Sequence, residues 1–126
     1  MIIKATLTGS QQRIDLSKVL DSFTHVRVRS FSYKEISTGQ KDLTICIDGL
    51  NQKYDVNRDK QYFFSSLMPT YANALITYQA QDVNHFDYHG NSKKHLNGLN
   101  VHILIDDQYS ADISAGNPVM IELEIF

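Results

Sequence analysis

Aliphatic residues stand two positions apart in two stretches near the end of the chain. They are Leu99, Val101, Ile103 and Ile105, and then Val119, Ile121, Leu123 and Ile125. Successive side chains of a strand point to opposite faces, so this spacing predicts two strands that each bury one aliphatic row. We expect the two strands to form a closing hairpin with a strongly specified register, because a slip of one residue would expose the row.

The same period of two recurs earlier in the chain. It predicts strands at 2–8, 43–47 and 74–79. The first strand should lie at a sheet edge or corner. Asp48 and Gly49 form a dipeptide that is typical of two-residue hairpins, so a return strand should begin around Tyr54 and Val56.

One long strand, at 25–34, changes parity halfway. Its large apolar residues are first Val26 and Val28 and then Phe31 and Tyr33. An extra residue in the strand restores one buried face, so a β-bulge is predicted near Arg29 and Ser30.

Polar and turn-forming residues fill the connections between these strands. Residues 15–23 predict either one short helical turn or an irregular corner. Residues 60–68 predict a further strand with large residues on both faces, which should stop at Pro69. The polar stretch 80–95 predicts an exposed loop at one end of the fold.

About eight short strands with turns between them predict an all-β protein, an antiparallel β-sandwich formed by residues 1–126 as one domain. The single jelly roll is the preferred form. An immunoglobulin-like sandwich is the alternative that periodicity leaves open.

Composition supports strands and narrows the function classes. Eleven Asp against three Glu, and only six Ala, disfavour helices. The formal charge of −2 gives no general attraction to nucleic acid. Cys46 is the single cysteine and cannot form an internal disulfide, and no apolar run is long enough to span a membrane. We therefore expect a protein made in a reducing cytoplasm, with no membrane span.

The 80–95 stretch holds the residues with most potential for ligand contact. They are His85, Phe86, Tyr88 and His89. His85, Asp87, His89 and His95 have the chemistry of a metal site, but their spacing matches no strong motif, so no metal and no cofactor is predicted.

The nominal outer face of the closing strands carries both charged and apolar residues. Glu122 and Glu124 could form a carboxylate pair for glycoside hydrolysis, but a solvated face is the favoured interpretation. The basic row His25, Arg27 and Arg29 is likewise either a solvated face or a surface for an anionic partner. No motif for catalysis occurs, so the chain is not predicted to be an enzyme.

Apolar residues on this outer face predict either a second covering layer or a contact with another chain. They are Leu104, Met120 and Phe126. We assign them to an interface between subunits.

The closing stretch HLNGLNVHILIDDQYSADISAGNPVMIELEIF resembles the C-terminal strands of jelly-roll virion proteins from icosahedral double-stranded DNA viruses, virophages and virus-like transposons. LNVHILID corresponds to a strand, DQYSADIS to the turn and VMIELEIF to the closing strand, with looser support from SFSYKEI and DLTICIDG. The chain is too short for a double-jelly-roll major capsid protein. The resemblance therefore implies a minor capsid, penton-like, cement or spike component of a virion, made in the host cytoplasm.

These observations predict a noncatalytic structural virion protein that packs against copies of itself, as a homo-oligomer, or against other capsid subunits. A ligand- or carbohydrate-binding β-sandwich that uses the 80–95 loop is the alternative.

Overall fold

Alternating aliphatic residues build antiparallel sheets in the computed structural model, which describes residues 1–35, 41–68, 74–82 and 84–126. These residues contain no helix. Their strands are β1 (Ile2–Leu7), β2 (Gln11–Asp15), β3 (Phe23–Glu35), β4 (Lys41–Ile47), β5 (Lys53–Asp55), β6 (Lys60–Tyr62), β7 (Phe64–Met68), β8 (Ala74–Gln79), β9 (Tyr88–Lys94), β10 (Gly98–Ile105), β11 (Gln108–Tyr109) and β12 (Val119–Ile125).

Two main sheets share one core. The first sheet has the order β1-β12-β3-β8, and β9 also pairs with β3. The second has the order β11-β10-β4-β7, and β2 also pairs with β10. The predicted all-β, antiparallel sandwich is confirmed. Twelve strands appear in the described residues instead of about eight. β8 and β9 both pair with β3, β2 and β11 both pair with β10, and β5 and β6 form a separate hairpin.

The aliphatic rows of β10 and β12 face the core, as predicted. Ile103 is fully buried, and Leu123 is 1% exposed. The closing hairpin, however, is wrong, because β10 and β12 lie in different sheets. After β11, residues 110–118 cross between the sheets, and Ile113 anchors this connection in the core.

The bulge in β3 is confirmed at the predicted place. Leu123 lies opposite Val28 and Glu122 opposite Ser30, so Arg29 is the extra residue. Phe31 consequently faces the core on the same side as Val28.

The hairpin predicted at Asp48 and Gly49 is wrong. β4 already pairs with β10 and β7, so the chain turns away there, and Gly49 has a φ of 82°. Tyr54 instead belongs to β5, which pairs with β6, and Val56 lies 80% exposed in the turn between them.

The exposed loop predicted at 80–95 is also wrong in its second half. β9 occupies residues 88–94 and pairs with the first half of β3. Asp87 and Tyr88 are buried.

The remaining predictions concern the corners and the first strand. Residues 16–20 form one turn in which the Leu20 N–H donates to the Leu16 carbonyl at 3.1 Å, the bond of a single helical turn, and the turn does not continue into a helix. β1 lies at a sheet edge, as predicted. Pro69 lies outside the described residues. Over the described ranges, the chain forms no helix with the length and apolar character needed to cross a bilayer.

Candidate functional site

The predicted interface residues do not form one patch. Met120 and Phe126 are 50% and 52% exposed, and both belong to the first sheet. Leu104 is only 7% exposed and belongs to the second sheet, so its assignment to the interface is wrong.

The β5–β6 hairpin accounts for the burial around Leu104. Thr44 lies directly across from Leu104 and is 5% exposed. On the same face of β4, the Cys46 thiol donates to the Gln61 carbonyl of β6 at 3.8 Å. Of the two sequence alternatives for this face, a second covering layer therefore applies to Leu104.

Aromatic and imidazole rings from three neighbouring strands lie side by side at one end of the first sheet. The Phe126 N–H donates to the His25 carbonyl at 2.9 Å, and the Thr24 N–H donates to the Phe126 carbonyl at 2.7 Å. On the other side, His25 pairs with His89 of β9, with ring centroids 4.1 Å apart. The backbone of β3 therefore fixes the order Phe126, His25, His89.

Phe86 joins these rings from the segment before β9. Its ring centroid is 4.7 Å from that of His25 and 5.5 Å from that of Phe126, both in edge-on geometry. We call the four side chains the ring row: His25, Phe86, His89 and Phe126. Edge-on contacts of this kind stabilise aromatic pairs beyond simple burial.

The predicted contact residues of the 80–95 stretch divide into three groups. Phe86 and His89 belong to the ring row. His85 lies beside it, with a half-exposed side chain whose Nε2 is 3.2 Å from Oδ1 of Asp87. Tyr88 is 7% exposed and packs against Phe23, so its assignment as a surface contact is wrong.

Asp87 anchors the segment that carries Phe86. Its side chain is 1% exposed, and Oδ2 accepts a hydrogen bond from the Val28 N–H at 2.7 Å. Oδ1 accepts one from Nζ of Lys53, also at 2.7 Å. A buried carboxylate with these donors is well satisfied, so it holds the segment firmly against β3.

Ion pairs cross the first sheet next to the ring row. Oε1 of Glu124 lies 2.8 Å from Nη2 of Arg27, and its Oε2 lies 3.0 Å from Nη1 of Arg29. Oε1 of Glu122 lies 3.4 Å from Nζ of Lys4. Arg27 and Arg29 of the basic row are thus partners of the carboxylate pair, whereas His25 belongs to the ring row. Arg27 is 7% exposed, so the solvated-face interpretation does not hold for that residue.

A groove of about 590 Å³ lies on the same sheet, and Lys4, Arg29 and Glu122 of these ion pairs line part of it. Its polar and apolar lining includes Thr6, Ser30, Ser32, Thr77, Gln79 and Met120. Hydroxyl and amide groups in such a groove can donate and accept hydrogen bonds to a small polar ligand.

A hydrogen-bonded chain on the second sheet had no signal in the sequence. Nε2 of His102 is 3.0 Å from Oδ1 of Asp48, and its Nδ1 is 3.2 Å from the Tyr109 hydroxyl. The chain ties β11 and the turn after β4 to the centre of β10. All three side chains have solvent access, and the residues stand far apart in sequence.

The histidines and acids of the 80–95 stretch are held apart in the fold. His85 pairs with Asp87, His89 stacks on His25, and His95 is exposed. Over the ranges that the structure covers, no three His, Cys, Asp or Glu side chains are placed to hold a metal ion.

No protein-family model, no curated protein and no solved structure matches this chain.

Proposed function

We propose that this chain is a noncatalytic structural subunit of a virion, a minor capsid, penton-like, cement or spike component, which packs against copies of itself or other capsid subunits. The ring row is its contact surface. The resemblance of the closing stretch to jelly-roll virion proteins gives the class of assembly.

The order of strand pairing supports a single jelly roll as the form of the sandwich. The pairs nest along the chain: β1 with β12, β2 with β10, β3 with β8, and β4 with β7. The rolled hairpin then brings β12 beside β3 and β10 beside β4. Two sheets of this kind are the architecture of jelly rolls, which occur in viral capsids and in lectins.

The observation that carries the proposal is an exposed aromatic side chain on a fixed backbone. Phe126 is 52% exposed although its N–H and C=O are both bonded to β3. Phe86 supports its ring from the side. Rings that are already ordered lose little conformational entropy when a partner covers them, and aromatic residues dominate the binding energy of protein interfaces.

Phe126→Ser tests the contact directly. Covering the exposed half of the ring removes on the order of 100 Å² from water, which is worth about 2.5 kcal/mol. The dissociation constant of the assembly should therefore rise about 60-fold. Val56→Ser is the matched control, because Val56 is an exposed apolar residue outside the first sheet.

Sedimentation of wild type and both variants across a dilution series measures the effect, with thermal melts run in parallel. Phe126→Ser should assemble only at higher concentration, with little change in melting temperature. Val56→Ser should assemble at the same concentration as wild type. Equal assembly of all three proteins would refute the role of the ring row.

The ligand-binding alternative is favoured by the groove on the first sheet. Its hydroxyl and amide groups can donate and accept hydrogen bonds to a carbohydrate, whereas Tyr88 of the predicted 80–95 loop is buried. Monosaccharides titrated against labelled protein separate the two functions. Saturable shifts of the Ser30 and Thr77 amide signals would favour carbohydrate binding.

A further inference from the structure

The outer edge of β1 presents backbone groups in a regular pattern. Met1 and Ile125 exchange two hydrogen bonds, at 2.9 and 2.8 Å, and the register then places Ile3 opposite Leu123 and Ala5 opposite Ile121. In an antiparallel ladder, residues that bond to the partner strand alternate with residues that point away from it. The N–H and C=O groups of Ile2, Lys4 and Thr6 therefore point outward.

Few of the devices that protect sheet edges are present on β1. The strand is six residues long and contains no proline, and its pairing with β12 shows no bulge. Its single charge is Lys4, whose Nζ lies 3.4 Å from Glu122 of the same sheet, so the ammonium is partly neutralised. Such an edge is a template for a further strand.

Gln12 closes one end of this edge. Its Nε2 donates to the Thr6 carbonyl at 3.2 Å, and its Oε1 accepts from the Thr8 N–H at 2.9 Å. The amide thus occupies the position that an added strand would take beside Thr6. Among the described residues, no hydrogen bond reaches the outward groups of Ile2 and Lys4.

We propose that β1 pairs antiparallel with β1 of a second copy of this chain, with Ile2 opposite Lys4 of the second copy. This inference does not rest on the ring row. Ile2 of each copy exchanges two backbone hydrogen bonds with Lys4 of the other copy, which makes four bonds in total. Registers that place Ile2 or Lys4 opposite Thr6 need the Thr6 carbonyl, which Gln12 already occupies.

The side chains fit the same register. Ile2 is 46% exposed, and the Lys4 side chain is 78% exposed. When the two lie opposite each other, the aliphatic part of Lys4 covers Ile2 while its ammonium stays in water. The register centred on Lys4 would instead place two like charges face to face, which destabilises a pair of strands.

Lys4→Pro removes the outward N–H of residue 4 while the bonds from Ile3 and Ala5 to β12 remain. Lys4→Thr is the control, because it removes the charge but keeps the N–H. Sedimentation equilibrium of the whole chain up to millimolar concentration should show a dimer for wild type and Lys4→Thr. The dimer should weaken about tenfold or more in Lys4→Pro, which loses two of the four bonds.

Hydrogen exchange of the wild-type protein identifies the register even where the proline variant unfolds. The amides of Ile2 and Lys4 should gain protection as concentration rises, while that of Thr6 should not. A protein that stays monomeric, or that dimerises without protection of Ile2 and Lys4, would overturn the proposal. If β1 pairs as proposed and Phe126→Ser leaves assembly unchanged, only the proposed contact role of the ring row is refuted.

Discussion

Asp87→Ala should destabilise the fold more than any surface substitution, because it removes the carboxylate that accepts from the Val28 N–H and from Lys53 and that also contacts Nε2 of His85. The Val28 N–H is left without its partner, and Val28 itself is 1% exposed, so water cannot replace the carboxylate. An unsatisfied buried donor costs about 1–3 kcal/mol. The Lys53 ammonium loses its carboxylate as well, but its side chain is 32% exposed, so water limits this loss to about 1 kcal/mol. The two contributions give about 3 kcal/mol.

Urea unfolding followed by circular dichroism measures the free energy, since the chain has no tryptophan. Asp87→Asn is the matched control. Its amide keeps an oxygen for the Val28 N–H, but its NH2 group then faces the Lys53 ammonium and cannot accept from it, so we expect only the Lys53 contact to be lost, at a cost of about 1 kcal/mol. An Asp87→Ala protein within about 1 kcal/mol of wild type, or an Asp87→Asn protein as unstable as Asp87→Ala, would contradict a structural role for the Val28 hydrogen bond.

Two other predictions concern the core and the free thiol. Leu123→Asp should abolish cooperative folding, because it places a charge at a site that is 1% exposed, and a soluble variant with a normal melting transition would contradict this. Burial raises the pKa of the Cys46 thiol, so less thiolate is present at pH 8 than in the unfolded chain. The thiol should therefore react more slowly with a disulfide reagent in the native protein than in urea, and equal rates would show that Cys46 is freely accessible.

Alternation predicted the strands in which one face meets the core and the other meets solvent or ion pairs. β12 and β10 are of this kind, and the parity change at Arg29 located the bulge. β9 was not predicted as a strand, because its sequence, YHGNSKK, buries little beyond Tyr88 at its start. A strand that lies on an edge and contributes one side chain to the core has no periodic signal.

Predictions that failed depended on which strands become neighbours. The dipeptide Asp48-Gly49 does make a turn, but β4 has no free edge for a returning strand. Leu104 has the parity of an outer residue, yet a hairpin from 53–62 lies against that face. The ring row brings His25 together with three residues that lie far along the chain from it, so only the pairing of β3 with β9 and Phe126 could reveal it.

The nesting of the strand pairs has a consequence for the time course of folding. Loop closure loses more entropy as the separation grows, so among the four nested pairs β4 with β7 closes most easily and β1 with β12 is the hardest to close. Domains dominated by such distant contacts fold in milliseconds to seconds rather than microseconds. On the ribosome, β4 can pair with β7 before synthesis of the chain is complete. The aliphatic side chains of β1 have no partner strand until β12 has been synthesised.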